Sequence, residues 1–315
     1  MDKLRQHISW DKAREVTFEC EPGTLSESKL RRPADRRHPA KSRRREPCND
    51  RILKRTVRAH LTSEIEQAWK WIRTAGFRQV NIDLIAGMVG ETWDSWRETV
   101  KKTIDMDPDS VTIYQMELPY NTRYSKDLVV LEQPLELANW STKRDWLEFA
   151  SDEFDHAGYR ISSAYTLVKK NDTAGFQYRD NLWHGADLLA SGVASFGHLS
   201  GVHYQNQDGL ENYQGILSEK RLPLGRALPV TAQERLIREL ILQMKLGWLD
   251  PRYFLKKFGR DITKDFADVF ADLEDRGLLE ALGPSMIRLS RQGLLRVDSL
   301  LPAFFLPIHR TDRYT

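Results

Sequence analysis

Cysteine is scarce in this chain: there are two in 315 residues, Cys20 and Cys48. Two thiols cannot supply a disulfide framework or a four-thiolate metal site. Long apolar runs are missing as well. None approaches the roughly 20 residues that cross a bilayer, and the polar opening MDKLRQHISWDKAREV contains no signal-peptide core. These absences imply a cytoplasmic protein with no membrane span. There is no P-loop pattern, so Gly87 and Gly90 read as loop glycines and not as a phosphate cradle.

A further absence is local. From Arg31 to Cys48 there is no Leu, Ile, Val, Met or aromatic residue, and three prolines fall in that span. Such a stretch has nothing with which to build a strand or a packed helix, so disorder is expected over 31–48. It also distorts the charge. Arg31–Arg45 holds seven Arg and one Lys against one Asp, a local +7, whereas the whole chain carries +3; the remainder is therefore net acidic, about −4.

What is present alternates between strand and helix patterns. Glu15–Cys20 reads as a strand that Glu21-Pro22-Gly23 ends. Glu64–Ala75 reads as a helix behind a Thr62-Ser63 cap, with Ile65, Ala68, Trp69 and Ile72 on one face and Gly76 as its stop. Gln79–Ile85 reads as a buried strand, Trp93–Met106 as a helix and Ser110–Leu118 as a strand. Leu137–Ala157 follows as a long helix, and Tyr159–Tyr165 as a short strand. Lys169–Trp183 reads as a long loop and Asp187–Phe196 as a strand and turn. This alternation predicts α/β architecture, a parallel sheet or barrel. The strands at Glu15 and Gln79 are 64 residues apart, and a βα unit takes roughly 30 or more. A strand is therefore expected near residue 45, where the chain has Arg and Pro instead. Past Pro223 the pattern becomes helical: Thr231–Leu246, Asp250–Phe258 and Thr263–Arg276, then a short strand at Met286–Leu289. That suggests a winged-helix-like module and a boundary near 222–231, giving domains 1–222 and 223–315.

Within the strand at Gln79 a single acid, Asp83, interrupts the apolar residues. A buried carboxylate is costly unless something pairs with it. In parallel α/β folds the productive place for such a group is near the carboxyl end of a strand, facing a ligand. Asp83 is thus a candidate site residue; an acid satisfied by neighbouring backbone is the plainer alternative.

The blocks VTFECEPGTLSESKL, QVNIDLIAGMVGET, DPDSVTIYQMELP and GADLLASGVASFGH, followed by a helical tail with GLLE and RLSRQGLLRVDSL, resemble the radical S-adenosylmethionine coproporphyrinogen III oxidase family. That family includes oxygen-independent coproporphyrinogen dehydrogenases, haem chaperones and haem-utilisation enzymes. The resemblance covers most of 15–30 and 49–300. It implies a partial (β/α) radical S-adenosylmethionine barrel with a C-terminal helical domain, S-adenosylmethionine and a [4Fe-4S] cluster as cofactors, and a porphyrinogen or haem-type substrate. By the same resemblance Glu19 faces the ribose or methionyl part of the cofactor and Asp83 lies near its ribose. Arg58 reaches its carboxylate, and Met116 and Phe196 touch the adenine. Plain alternatives are a strand-end acid for Glu19, a solvated arginine for Arg58 and core packing for Met116 and Phe196.

The chain departs from the family in two ways. It has no CxxxCxxC, the loop whose three thiolates hold the cluster, and it opens where the family's third βα unit would begin. An N-terminally truncated chain without catalysis is the expectation. Secondly, an Arg/Pro/Ala block stands at 31–48 between two family-like segments, as a shifted reading frame in GC-rich coding sequence would produce.

Other readings stay open. Cys20 fits a buried strand thiol. His184, His198 or His203 could ligate haem in a tetrapyrrole-binding, chaperone-like protein without redox activity, although a structural histidine is the simpler role. A nucleic-acid binder built on the arginine tract and the helical tail is disfavoured by the net acidic remainder. A small-molecule protein acting as a monomer is expected. Early strands without partners would leave the Glu15 and Gln79 edges open and invite aggregation. Resequencing the coding DNA across 31–48 is expected to reveal a frame break; one continuous frame through the block would end that idea.

Overall fold

A computed structural model describes residues 6–9, 12–31, 40–45, 62–117, 137–170 and 175–310. The chain divides into two compact units, the first running to Phe176 and the second Gln177–Asp312. The boundary read from the sequence near 222–231 falls inside the second unit.

The first unit is built on a six-stranded sheet in the order β1 (Val16–Glu19), β2 (Ala40–Arg45), β3 (Gln79–Ala86), β4 (Ser110–Gln115), β6 (Thr166–Lys169), β5 (Tyr159–Ser163). β1 to β4 are mutually parallel, and β6 and β5 form an antiparallel hairpin against β4. The sheet is open, with β1 and β5 at its ends, so the described residues form mixed α/β structure and no closed barrel.

β2 corrects one expectation. Arg and Pro were read as leaving no strand in 31–48, yet Ala40–Arg45 pairs with β1 on one side and β3 on the other. A parallel ladder is made of backbone N–H and C=O groups, which arginine supplies as well as valine does. The strand sits midway, where spacing asked for one. It also corrects the unpaired edges: β3 is bonded on both sides, and β1 on the side facing β2.

Helices cover this sheet for legible reasons. Helix Thr62–Ala75 buries Ile65, Ala68 and Ile72 and stops at Gly76, whose φ of +70° is the left-handed conformation that glycine adopts cheaply. Ile72 packs with Cys20, Leu30 and Val80 in one apolar cluster. Helix Trp93–Asp105 starts on a capping box between Thr92 and Ser95. Its Trp96 stacks on Trp146 of helix Trp140–His156 at 6.1 Å and donates from Nε1 to the Trp146 carbonyl at 2.9 Å. No helix among the described residues is long and apolar enough to cross a membrane.

The second unit opens with helix Gln177–Trp183, in a stretch whose polar, aromatic character reads as loop. The helix buries none of its residues, so it lacks the apolar stripe that periodicity detects. At 187–196 the strand reading is also corrected: the strand is Phe196–Leu199 (β7), and 187–195 holds only a bridge from Leu188 to His198. β7 pairs with β8 (Val202–Asn206), and β8 with β9 (Leu224–Pro229), all antiparallel. Helices Ala232–Met244, Pro251–Phe258 and Ala267–Asp275 accompany a second small sheet, in the order β10 (Trp248–Leu249), β12 (Ile287–Leu289), β11 (Leu279–Leu282).

A buried ion pair ties this unit together. Glu239, 2% exposed, receives Lys257 Nζ at 2.8 Å on both carboxylate oxygens and is hydrogen-bonded by the Tyr253 hydroxyl. Lys257 also donates to the His184 carbonyl at 2.8 Å. Gly185 permits that approach: its φ is +79°, and a Cβ there would overlap Glu239 Oε1. Gly185→Ala is therefore expected to destabilise the protein by about 3 kcal/mol or more, through left-handed strain and a displaced buried ion pair. Chemical denaturation would check it; a loss below about 1 kcal/mol, the range of ordinary substitutions, would contradict it.

Candidate functional site

All eight residues of β3 are buried. One side of the strand, Val80, Ile82 and Leu84, is apolar, as the sequence promises. The other carries Asn81 and Asp83, two residues apart and so on one face. Register sets Asn81 opposite Ser110 and Asp83 opposite Thr112 of β4. The four form a connected polar row. Asn81 Nδ2 donates to Asp83 Oδ1 at 2.6 Å, and Asn81 Oδ1 accepts from Ser110 Oγ at 2.8 Å and Thr112 Oγ1 at 3.2 Å. Asn81 thus uses both ends of its amide to orient a carboxylate and two hydroxyls.

Beyond the row, the β3–helix loop turns through Gly87 (φ +91°) and Gly90 (φ +77°). Its backbone meets Glu91, whose Oε2 accepts from the N–H groups of Gly87 at 2.7 Å and Met88 at 3.1 Å. Oε1 is buried and has no hydrogen-bond partner among the described residues. Burial pushes this carboxyl up to about 7 against the pull of those two backbone bonds. Lys143 closes the loop from helix Trp140–His156. It is buried, donates to the Met116 carbonyl at 2.6 Å, and lies over the Trp140 ring at 4.5 Å. Burial lowers its pKa, partly countered by Glu117. Its stem lies where a Cβ on Gly87 would be, 2.6 Å from Cε, so only glycine fits there.

Of the residues proposed from sequence, Asp83 is at the centre of this row. Met116 is half-buried against Ile85 and Met88 at the carboxyl ends of β3 and β4, where its N–H donates to the Ala86 carbonyl at 2.7 Å. Glu19 is exposed at the end of β1. Arg58 lies outside the described residues. Phe196 belongs to the second unit, where it is 63% exposed beneath the Arg226 guanidinium at 5.9 Å, so core packing within that unit is not its role. Cys20 is buried in the apolar cluster with Leu30, Ile72 and Val80. His184 sets Nδ1 2.6 Å from the Asp180 carbonyl and stands edge-on to Tyr253.

Sequence reading missed Asn81, Ser110, Thr112, Glu91 and Lys143. A signal existed for the first three: N-x-D in β3 and S-x-T in β4 place polar residues at period two inside apolar strands. Glu91 and Lys143 are defined by tertiary neighbours and leave no local mark.

Comparison with known proteins bears on the fold. No protein-family model matches the chain. The haem chaperone HemW of Bacillus subtilis (strain 168) is 22% identical over 258 residues, 81% of this chain and 66% of that protein. The oxygen-independent coproporphyrinogen III oxidase of Thermostichus vulcanus is 27% identical over 256 residues, 76% of this chain and 77% of that one. The Pseudomonas aeruginosa oxidase of the same name is 26% identical over 247 residues, 72% of this chain and 48% of that protein. The solved coproporphyrinogen III oxidase HemN of Escherichia coli, described as a radical SAM enzyme, superposes with a TM-score of 0.80 over 96% of this chain and 72% of its own, at 20% identity. The chain is thus similar in sequence to haem chaperones and oxygen-independent coproporphyrinogen III oxidases, and in fold to one such oxidase. It spans from about half to about three quarters of the length of these three curated relatives.

The raised Glu91 carboxyl has a consequence for stability. Its folded pKa of about 7 lies above the ordinary 4.5, so the folded state holds the extra proton between those values. Stability contributed by the protonated form is present below pH 4.5 and is lost as pH rises through 7, by about 3 kcal/mol in all. Glu91→Gln, which cannot ionise, should gain on the natural protein as pH rises from 5 to 8. Thermal melts at several pH values would read it; a flat or opposite trend would show that Glu91 ionises freely.

Proposed function

We propose that this chain binds S-adenosylmethionine on the polar row of β3 and β4, acts on a porphyrinogen or haem-type small molecule, and carries out no radical chemistry as it stands. The observation that carries the binding reading is Asp83, a buried acid held by Asn81 beside two hydroxyl residues near the carboxyl end of a parallel strand. Such a carboxylate suits the hydroxyl pair of a ribose. Glu91 Oε1 offers a second, unpartnered acceptor in the neighbouring loop.

The iron–sulfur cluster does not fit the residues present. In the family it supplies the electron that cleaves the bound sulfonium, and it needs three thiolates. This sequence has two cysteines 28 residues apart, and Cys20 is enclosed by apolar side chains. The same reading makes the protein a cytoplasmic monomer with no nucleic-acid partner. In the second unit the order helix, strand, three helices, strand, strand from Ala232 to Leu289 supports a winged-helix-like tail.

Purified protein reconstituted with iron and sulfide is expected to show no absorbance band near about 400 nm and to form no 5′-deoxyadenosine. Either signal would overturn catalytic incompetence. Independently, Asp83→Asn should weaken S-adenosylmethionine binding by about tenfold, the effect of losing one charged hydrogen bond. Calorimetry showing equal affinity would remove Asp83 from the site. The competing haem-binding reading, motivated by His184, His198 and His203, predicts a Soret shift in a haem titration that a His-to-Ala variant abolishes.

A further inference from the structure

The second unit gathers cationic groups that form no ion pair among the described residues. His198 on β7 and His203 on β8 are cross-strand partners with ring centroids 4.3 Å apart. His198 is 5% exposed, and its Nδ1 has no hydrogen-bond partner among the described residues. The β7–β8 turn at Ser200-Gly201 lies against Arg235, whose Cδ would be 3.7 Å from a Cβ on Gly201. Arg235 and Arg238 stand three residues apart on helix Ala232–Met244, hence on one face. Both are half-buried. Neither guanidinium has a hydrogen bond or ion pair among the described residues, although Glu239 acts on Arg238 at longer range. Arg238 acts electrostatically on both histidines, and Arg235 on His198.

The acids around the cluster are engaged elsewhere. Asp187 Oδ1 accepts from the Ser200 N–H at 2.8 Å. Glu234 accepts from the Thr231 N–H and hydroxyl at 2.7 and 2.8 Å on Oε2, and its Oε1 meets His309 Nε2 at 3.3 Å. Glu239 holds Lys257. Burial, then Arg238 and His203, push His198 down to about 4, and burial followed by Arg238 lowers His203. Both rings are therefore neutral at pH 7. Two half-buried guanidiniums with no direct ion pair, one of them feeling only the already engaged Glu239, are an expensive arrangement that a bound anion would relieve. Guanidinium forks match oxyanions in geometry, and a buried imidazole nitrogen with nothing to bond completes a set of donors.

We propose that Arg235, Arg238, His198 and His203 form a binding site for a small oxyanion, a carboxylate or a phosphate. The fully buried His198 closes the inner end, and the half-exposed Arg235 and His203 leave the outer end open to solvent. The proposal is independent of the S-adenosylmethionine reading, since it uses no residue of the first unit.

The test uses the full chain labelled with nitrogen-15, with succinate and inorganic phosphate as probes and the imidazole resonances as readout. Millimolar succinate or phosphate is expected to raise the titration midpoint of His198 by about one unit, as a nearby anion favours imidazolium. Whichever probe binds more tightly identifies carboxylate or phosphate as the native chemistry. Arg238→Gln should weaken binding about tenfold or more, Arg238→Lys should restore part of it, and Arg221→Gln, at an exposed pair with Glu219, should change nothing. Should Arg238→Gln fail to fold, Arg235→Gln reads the same loss. A His198 midpoint unmoved by both probes, or binding unchanged in a folded Arg235 or Arg238 variant, would overturn the site.

Discussion

Asn81 bears the constraint on which the first unit depends. It sits in a strand with no exposed residue, and an amide left unpaired there would cost about 1–3 kcal/mol. Its carbonyl is taken by Ser110 and Thr112 and its amide by Asp83. Satisfying Asn81 therefore fixes the register of β4 on β3, because a slip of one residue would move both hydroxyls to the opposite face. It also fixes the carboxylate of Asp83, and with it the direction in which the strand offers negative charge. The loop beyond obeys the same accounting: Gly87 and Met88 turn their N–H groups to the buried Glu91, and the absence of a Cβ on Gly87 permits both its φ of +91° and the close approach of the Lys143 stem.

Much of this architecture is legible in the chain itself. β3, β4 and the helices between them announce themselves by period, and their ends by chemistry: Thr92 with Ser95, Thr231 with Glu234, Gly76 in left-handed conformation. Asp83 is visible because an acid in an apolar strand contradicts its surroundings. What stays hidden has a common cause. β2 is held by backbone bonds to two neighbours, and these leave no trace in side-chain pattern. Helix Gln177–Trp183 buries nothing, so its sequence has no stripe to display. β5 and β6 reverse direction within a few residues, and an antiparallel hairpin beside parallel strands cannot be told from alternation alone. Lys143 and Glu91, 52 residues apart in sequence, both reach one glycine, Gly87.

The site is correspondingly half-read. Asp83 lies in the polar row and Met116 beside the loop. Phe196 belongs to a different compact unit from both, so a role for it cannot be argued from the neighbours that define the row. The cofactor chemistry divides the same way. Acids and hydroxyls suited to a nucleoside are present and oriented, whereas the thiolates that would hold iron are not part of this sequence. A binding surface and an electron source are separate physical requirements, and the first does not imply the second.

Charge balance ties the two units to one argument. Each holds buried ionisable groups whose partners among the described residues do not complete them: Glu91, with one oxygen unbonded there and a carboxyl raised to about 7, and the arginine–histidine cluster, whose imidazole pKa values are lowered by burial and by Arg238. Structural ion pairs behave otherwise. Glu239 is more buried than Glu91, yet Lys257 and Tyr253 occupy its oxygens, and nothing remains for a ligand to supply. A folded chain can bear an incomplete buried charge only at a cost of a few kcal/mol against a total stability of about 5–15. Where such charge persists among otherwise satisfied polar groups, a ligand of opposite or complementary character is the simplest source of the missing partners, and the two sites ask for different ones: hydrogen-bond donors at β3, an oxyanion at β7 and β8.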